Sequence, residues 1–377
     1  MTRVAFVVRS LGCGGAERQL IELLKGIDKD RFKVSVVCLY PGGSLWDDAN
    51  SIPDIRVDHL GKKGRWDVSV IPALWNYIRQ VKPDIVHGYM DIANALALIG
   101  KPLGSKVVWG VRASKIDFSH YGFVHRIVRW TQFLSSQLPD LIICNSEAAR
   151  CELVASGYPR KRTRVIPNGI DVQRFRPDSV RRYAVRADWG VRPEEFLIGL
   201  VARFDPMKGH KVFIAAAARI VMRQPDVKFV AVGDGSDQQR RALRDLAQEL
   251  GLTERIIWAG QRLDMPAVIS ALDLSVSASF GEGFSNALGE SMSCGVPCVA
   301  TNVGDSAKIV GELGWLVDPG DEAGLADQII EAMRFCRTPE FRPELIRRRI
   351  EREFSVQRLV DDTTAALCSL RNDRANG

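Results

Sequence analysis

Short apolar runs alternate with helix-like stretches twice over in this sequence, a rhythm that calls for two doubly wound α/β units, each built on a parallel sheet. In the first unit the runs predict strands at 4–8, 34–38, 85–86, 107–109, 141–144 and 164–166. The second set falls at 197–201, 228–232, 256–258, 274–277, 297–300 and 315–317, with helices such as 210–223 and 238–250 between strands. A chain of 377 residues also exceeds what one ordinary core supports. The pattern breaks in the charged, turn-rich segment 174–178, which gives an N-terminal domain at 1–173 and a C-terminal domain at 174–354. A terminal helix within 355–377 follows a basic helix at 342–354 and is expected to cross back onto the first domain.

Apolar content of 46% with 26% charged residues fits a soluble globular enzyme. No run approaches the roughly 18 to 20 apolar residues of a membrane span, and residues 1–9 read as a first strand rather than a signal peptide, so a cytoplasmic protein is expected. Eight cysteines without a C-x-x-C pair suggest reduced, mostly buried thiols and no zinc site; Cys13, in a Gly-rich loop, is the one position open to a reactive role. Charge is uneven. Residues 1–174 hold 25 Lys and Arg against 16 Asp and Glu, leaving 27 against 29 for the remainder. A basic first half implies an anionic surface or acceptor, such as phospholipid or a diphosphate-linked lipid at the inner face of the plasma membrane. Nucleic acid is disfavoured because no basic, aromatic recognition element is present. The basic, amphipathic stretch 121–134 reads either as a helix packed on the first sheet or as one lying on an anionic membrane.

In open parallel sheets ligands bind beyond the carboxyl ends of the strands, so the loops there carry the chemistry. Gly12-Cys13-Gly14-Gly15-Ala16-Glu17 partly imitates a dinucleotide fingerprint. Glu17 replaces its third glycine and the second strand ends without the ribose-binding acid, which disfavours hydride transfer. After the first strand of the second unit, Arg203 and Lys208 flank a turn that opens a helix, so two cations and a helix N-terminus can converge on a diphosphate. The most informative loop is 279–290. There Glu282 precedes a Gly-Phe-Ser-Asn turn, Ser285 or Asn286 caps a short helix, and Glu290 lies one turn inside it. Two carboxylates can accept paired sugar hydroxyls while the N–H groups of Phe284, Ser285, Asn286 and Ala287 take phosphate. Gly233 also follows a strand and reads as the edge of the pocket or as a plain turn; Asn145 and Asn168 end strands too and, if the sheets have the supposed order, are expected to face the same cleft.

These residues together resemble the retaining glycosyltransferases of family 4. The matching pieces run in order through nearly the whole chain: Gly14 to Arg18, Asn145-Ser146, 165–171, Arg203 with Lys208-Gly209, Gly233 to Gly235, and Glu282 through Glu290 to Thr301. The resemblance implies a GT-B fold, with two Rossmann-like domains facing each other across a cleft. It gives the donor diphosphate to Arg203 and Lys208, the ribose to Glu290, and the transferred sugar to Glu282 with the amides of Phe284 to Asn286. Arg262-Leu263 would lie near the base, and Gly14-Gly15 near the donor phosphate or sugar. It further implies retention without a protein nucleophile, cofactor or metal, and no Asp-x-Asp metal motif occurs. In one place the chain departs from the family. Arg112 stands where a donor-contacting histidine is common, and can bind an acidic sugar, bind an acceptor diphosphate or sit on the surface. His87 reads as an acceptor contact or a core histidine.

The expected activity is transfer of a hexosyl group from a nucleotide diphosphate sugar, a UDP-sugar by expectation, to a saccharide acceptor on a lipid carrier in cell-surface polysaccharide assembly. The alternatives are a GT-B nucleotide-sugar epimerase and a non-catalytic sugar-nucleotide or polyanion binder. Sugar, acceptor and linkage are left open.

Overall fold

The structure is a computed structural model and describes residues 1–12, 14–112 and 134–375. Cys13 and residues 121–133 of the amphipathic stretch lie outside them. The chain divides into two units, one of residues 1–169 with 356–377 and the other of residues 170–355.

Seven strands form the sheet of the first unit: β1 (Thr2–Val8), β2 (Phe32–Cys38), β3 (Ile55–His59), β4 (Ile85–Tyr89), β5 (Lys106–Val111), β6 (Leu141–Cys144) and β7 (Thr163–Val165). Their order is β3-β2-β1-β4-β5-β6-β7, and every pairing is parallel. The central strand β1 buries five consecutive residues, Val4 to Val8, as a strand covered on both faces must. At the edge, β3 alternates Ile55 and Val57 with Arg56 and Asp58, which pair with each other at 2.6 Å. That edge strand went unpredicted because its charges interrupt the apolar run. The C-terminal helix Val356–Ala375 belongs to this unit. Its Leu359, Val360 and Leu367 share a core with Phe6, Leu20, Leu24 and Val36.

In the second unit the strands are β8 (Phe196–Val201), β9 (Val227–Val232), β10 (Ile256–Gly260), β11 (Leu274–Ser277), β12 (Cys298–Thr301) and β13 (Trp315–Val317), in the order β10-β9-β8-β11-β12-β13 and again all parallel. Helices His210–Val221 and Glu322–Cys336 pack Phe213, Ile220 and Ile329 against Ile198, Phe229 and Val299. Both sheets therefore reverse direction once, between β1 and β4 and between β8 and β11. At such a switch point neighbouring loops diverge and leave a crevice.

Burial pushes the thiols of Cys38, Cys144 and Cys294 up to about 12, so they stay protonated and inert. Among the described residues no helix is long and apolar enough to cross a membrane.

Two histidines are built in neutral. His87 on β4 is fully buried, with its ring centroid 5.1 Å from those of Phe6 and Tyr89, and neither nitrogen has a hydrogen-bond partner. Burial, helped by repulsion from Arg112, lowers its pKa to about 3. His210 sits edge-on to Phe204 at 4.9 Å, and burial lowers its pKa to about 4. The nearby Ala202 carbonyl works against that shift but falls short of a hydrogen bond. Because the unfolded chain protonates these groups below about pH 6.5, the stability due to keeping them neutral is complete above that value and is lost as pH falls toward 4. The slope reaches about 1.4 kcal/mol per pH unit for each histidine. The urea midpoint should accordingly fall between about pH 7 and about pH 5; a midpoint flat over that interval would contradict neutral burial.

Candidate active site

The switch point of the second unit brings together two loops that lie far apart in sequence. After β8, the Asp205 side chain accepts from Met207 N–H at 2.9 Å and shapes a single turn, Pro206–Lys208. Gly209 then bends the chain into helix His210–Val221 with φ of 67°, and a Cβ there would lie 1.8 Å from the Ala278 carbonyl oxygen. Only glycine fits that approach. The contact seats the turn against the end of β11, where Phe280 N–H donates to the Met207 carbonyl at 2.8 Å.

This seating brings the Lys208 ammonium to Glu282, with Nζ 2.6 Å from Oε1. The same oxygen accepts from the Ser279 hydroxyl at 2.8 Å, and the Thr301 hydroxyl donates to the Ser279 carbonyl at 2.6 Å. Asp305 N–H donates to the Gly283 carbonyl at 3.0 Å, so the loop is fastened on both sides of Glu282. Sequence reasoning passed over Ser279 and Thr301. Ser279 left one signal, the S-x-x-E spacing to Glu282.

Ser285 is the N-cap of helix Asn286–Ser293, yet its side chain makes no capping hydrogen bond. The first turn thus lacks the usual side-chain acceptor for its amides, which suits an anion-binding end. Phe284 turns into the core, its ring 5.4 Å from that of Phe354, and fixes the backbone amides that follow. Glu290 is half-buried one turn along the same helix. Arg203 is 82% exposed and only loosely paired, 3.9 Å from Asp205. After β9, Gly233 adopts φ of 144°, with space for a Cβ closed by the Ala202 carbonyl oxygen at 1.9 Å. That third loop therefore lies directly against the Arg203 loop.

Other expected donor residues stand differently. The Arg262 guanidinium is held by Asp264 at 2.7 Å and Asp188 at 3.5 Å, while Leu263 projects 82% exposed. Among the described residues no cluster of three or more metal-ligating side chains occurs.

In the first unit, Gly14 is the N-cap of helix Gly15–Gly26, again without a side-chain cap bond. Arg112 follows β5 and gathers residues from neighbouring strands: Nη1 donates to Asn168 Oδ1 and Nη2 to the Tyr89 hydroxyl, each at 3.0 Å. Asn145 Nδ2 donates to the Arg112 carbonyl at 3.3 Å. Gln19 pins the next residue, Gly169, by a reciprocal pair of 2.7 and 2.9 Å. Tyr89 and Gln19 carried no local signal, since each acts across distant sequence. His87, by contrast, lies in the core as described above.

Two family profiles match the chain: Glycosyltransferase Family 4 over residues 13–174 and Glycosyl transferases group 1 over residues 195–334. The chain is similar to the UDP-Gal:alpha-D-GlcNAc-diphosphoundecaprenol alpha-1,3-galactosyltransferase of Escherichia coli, 25% identical over 81% of each chain. It is similar also to the N-acetyl-alpha-D-glucosaminyl L-malate synthase of Bacillus anthracis, 26% identical over 83% of this chain and 81% of that one. Among solved structures, Anabaena HepE in complex with UDP and glucose superposes with a TM-score of 0.84 at 23% identity, covering 98% of this chain and 100% of that chain. The chain belongs to glycosyltransferase family 4 and has the GT-B fold.

Proposed function

We propose that this glycosyltransferase moves a hexosyl group from a UDP-sugar to a lipid-linked saccharide, with retention, in cell-surface polysaccharide assembly. The observation that carries the donor assignment is the Lys208–Glu282 contact of 2.6 Å at the switch point of the second unit. A cation for diphosphate and a carboxylate for sugar hydroxyls stand side by side, where the bond to be broken must lie. In this reading Arg203 and Lys208 offset the charge that grows on the leaving diphosphate. Glu290 holds the ribose and Glu282 the sugar, while the amides of Phe284 to Ala287 take phosphate oxygens. Gly233 borders the diphosphate, Arg262 and Leu263 the base. Gly14 and Gly15, with Arg112, Asn145 and Asn168, serve the sugar or acceptor from the first unit. The acceptor oxygen forms its bond to the anomeric carbon on the face the diphosphate leaves, and the departing phosphate oxygen takes its proton. No step in this scheme calls on a metal ion or cofactor. Support for the substrates comes from relatives: the Escherichia coli enzyme is named for UDP-Gal and a diphosphoundecaprenol-linked GlcNAc, and HepE was solved with UDP-glucose.

Replacing Lys208 by Ala should lower kcat at saturating donor by about 100-fold or more, the usual effect of removing one preorganised charge donor, while the fold survives. Glu290→Ala should weaken donor binding by about tenfold or more. Transfer by Lys208→Ala at the wild-type rate would refute the assignment, and turnover of donor without acceptor would favour the epimerase.

A membrane-facing role for the first unit has its own support. Trp66, Val68, Ile71 and Trp75 are all exposed, and the exposed cations Lys63, Arg65 and Arg79 lie beside them in sequence. Indole rings among cations suit the interface of an anionic bilayer. The protein should co-sediment with phosphatidylglycerol vesicles and release them when Trp66 and Trp75 become Ser. Equal sedimentation of wild type and variant would contradict the reading.

A further inference from the structure

Arg112 is 9% exposed, yet among the described residues no carboxylate pairs with it. Its partners are the neutral Asn168 amide, the Tyr89 hydroxyl and the Tyr89 ring, whose centroid lies 5.1 Å from the guanidinium carbon. Of the five N–H groups a guanidinium carries, Nε–H is buried without a partner, as is Oδ1 of Asn145, whose Nδ2 donates to the Arg112 carbonyl. A buried cation with neutral partners alone is poorly compensated, and a fixed guanidinium fork matches the two oxygens of a carboxylate or phosphate.

Position adds to chemistry. Tyr89, Arg112, Asn145 and Asn168 come from the carboxyl ends of β4, β5, β6 and β7, four adjacent strands starting at the switch point. Tyr89 and Asn168 hold the Arg112 guanidinium, and Asn145 holds its backbone carbonyl. At the same edge Met90 adopts φ of 66°, a conformation rare for a side chain of its size, and its N–H and carbonyl are both held, by Gly110 and Asn94. The field of Arg112 also reaches His87, helping to keep that imidazole uncharged.

We propose that Arg112 is an oxyanion-recognition site, taking a carboxylate or phosphate of one of the two substrates. The assignment rests on the glycosyltransferase reading and sharpens it: one substrate carries an anionic group beyond the donor diphosphate. Two sources have this chemistry, a uronic acid as the transferred sugar or a phosphate linking the acceptor sugar to its carrier.

Calorimetric titration of the full chain separates them. One arm compares UDP-glucuronate with UDP-glucose; the other compares an alkyl-diphosphate-linked N-acetylglucosamine with the uncharged alkyl glycoside, both in the presence of UDP. In one arm the wild type should prefer the anionic ligand by at least about tenfold. Arg112→Gln should bring that preference within about threefold while its affinity for UDP alone is kept. Absence of any preference in both wild-type arms overturns the proposal without recourse to a variant, and so does an unchanged preference in Arg112→Gln. Loss of UDP affinity in Arg112→Gln overturns it too, because the guanidinium would then serve the donor diphosphate. Should Arg112→Gln fail to fold, Arg112→Lys, which keeps the charge but loses the fork, must retain only part of the preference; full retention counts against the site. UDP titrated into Lys208→Ala reads the donor site separately, so failure of the donor reading is distinguishable from failure at Arg112.

Discussion

The contact of Lys208 with Glu282 depends on almost everything else in the second unit. It requires β8 and β11 to be neighbours, which a 3-2-1-4-5-6 strand order supplies. It requires the turn after β8 to touch the end of β11, which Gly209 permits and a Cβ would prevent. Glu282 must also be aimed, and Ser279, itself tied down by Thr301, does this. Cation and carboxylate neutralise each other, so neither is left as a bare charge where both side chains are largely buried. A diphosphate and a sugar would each take one member of that pair.

The first unit repeats the topology with different chemistry. Its switch-point loop, at Gly14 and Gly15, offers backbone rather than charge, and its Arg112 stands one strand away from the switch-point pair, just after β5. Arg112 is organised by neutral groups, where Lys208 has a carboxylate. The two cations are thus prepared differently. Under the proposed roles, Lys208 would have to leave Glu282, whereas Arg112 would keep its hydrogen bonds to Asn168 and Tyr89.

The strand alternation was legible because parallel strands buried on both faces are written as apolar runs, and β6, β11 and β13 fall on the expected residues. β3 was not legible, because an edge strand tolerates Arg56 and Asp58 in its middle. At the candidate site, Lys208 with its glycine and Glu282 with its turn stand out in the sequence as short motifs, and the structure brings the two side chains together. Residues acting across distance do not stand out. Nothing local in Tyr89 or Gln19 announces that one orients Arg112 and the other pins Gly169. Arg262, expected near the base, is engaged by Asp264 and Asp188, and neither pairing follows from spacing alone.

The central claim is that, under the proposed roles, Lys208 takes the donor diphosphate and Glu282 the sugar, so the two must exchange their 2.6 Å contact for contacts with the donor. Calorimetric titration of Glu282→Gln with UDP and with UDP-glucose addresses it most directly. If the claim is right, the variant binds UDP at least as tightly as the wild type, since the lysine is released, while the added affinity that glucose confers is lost. Equal weakening of UDP and UDP-glucose would contradict it, because Glu282 would then act only as a prop for the loop.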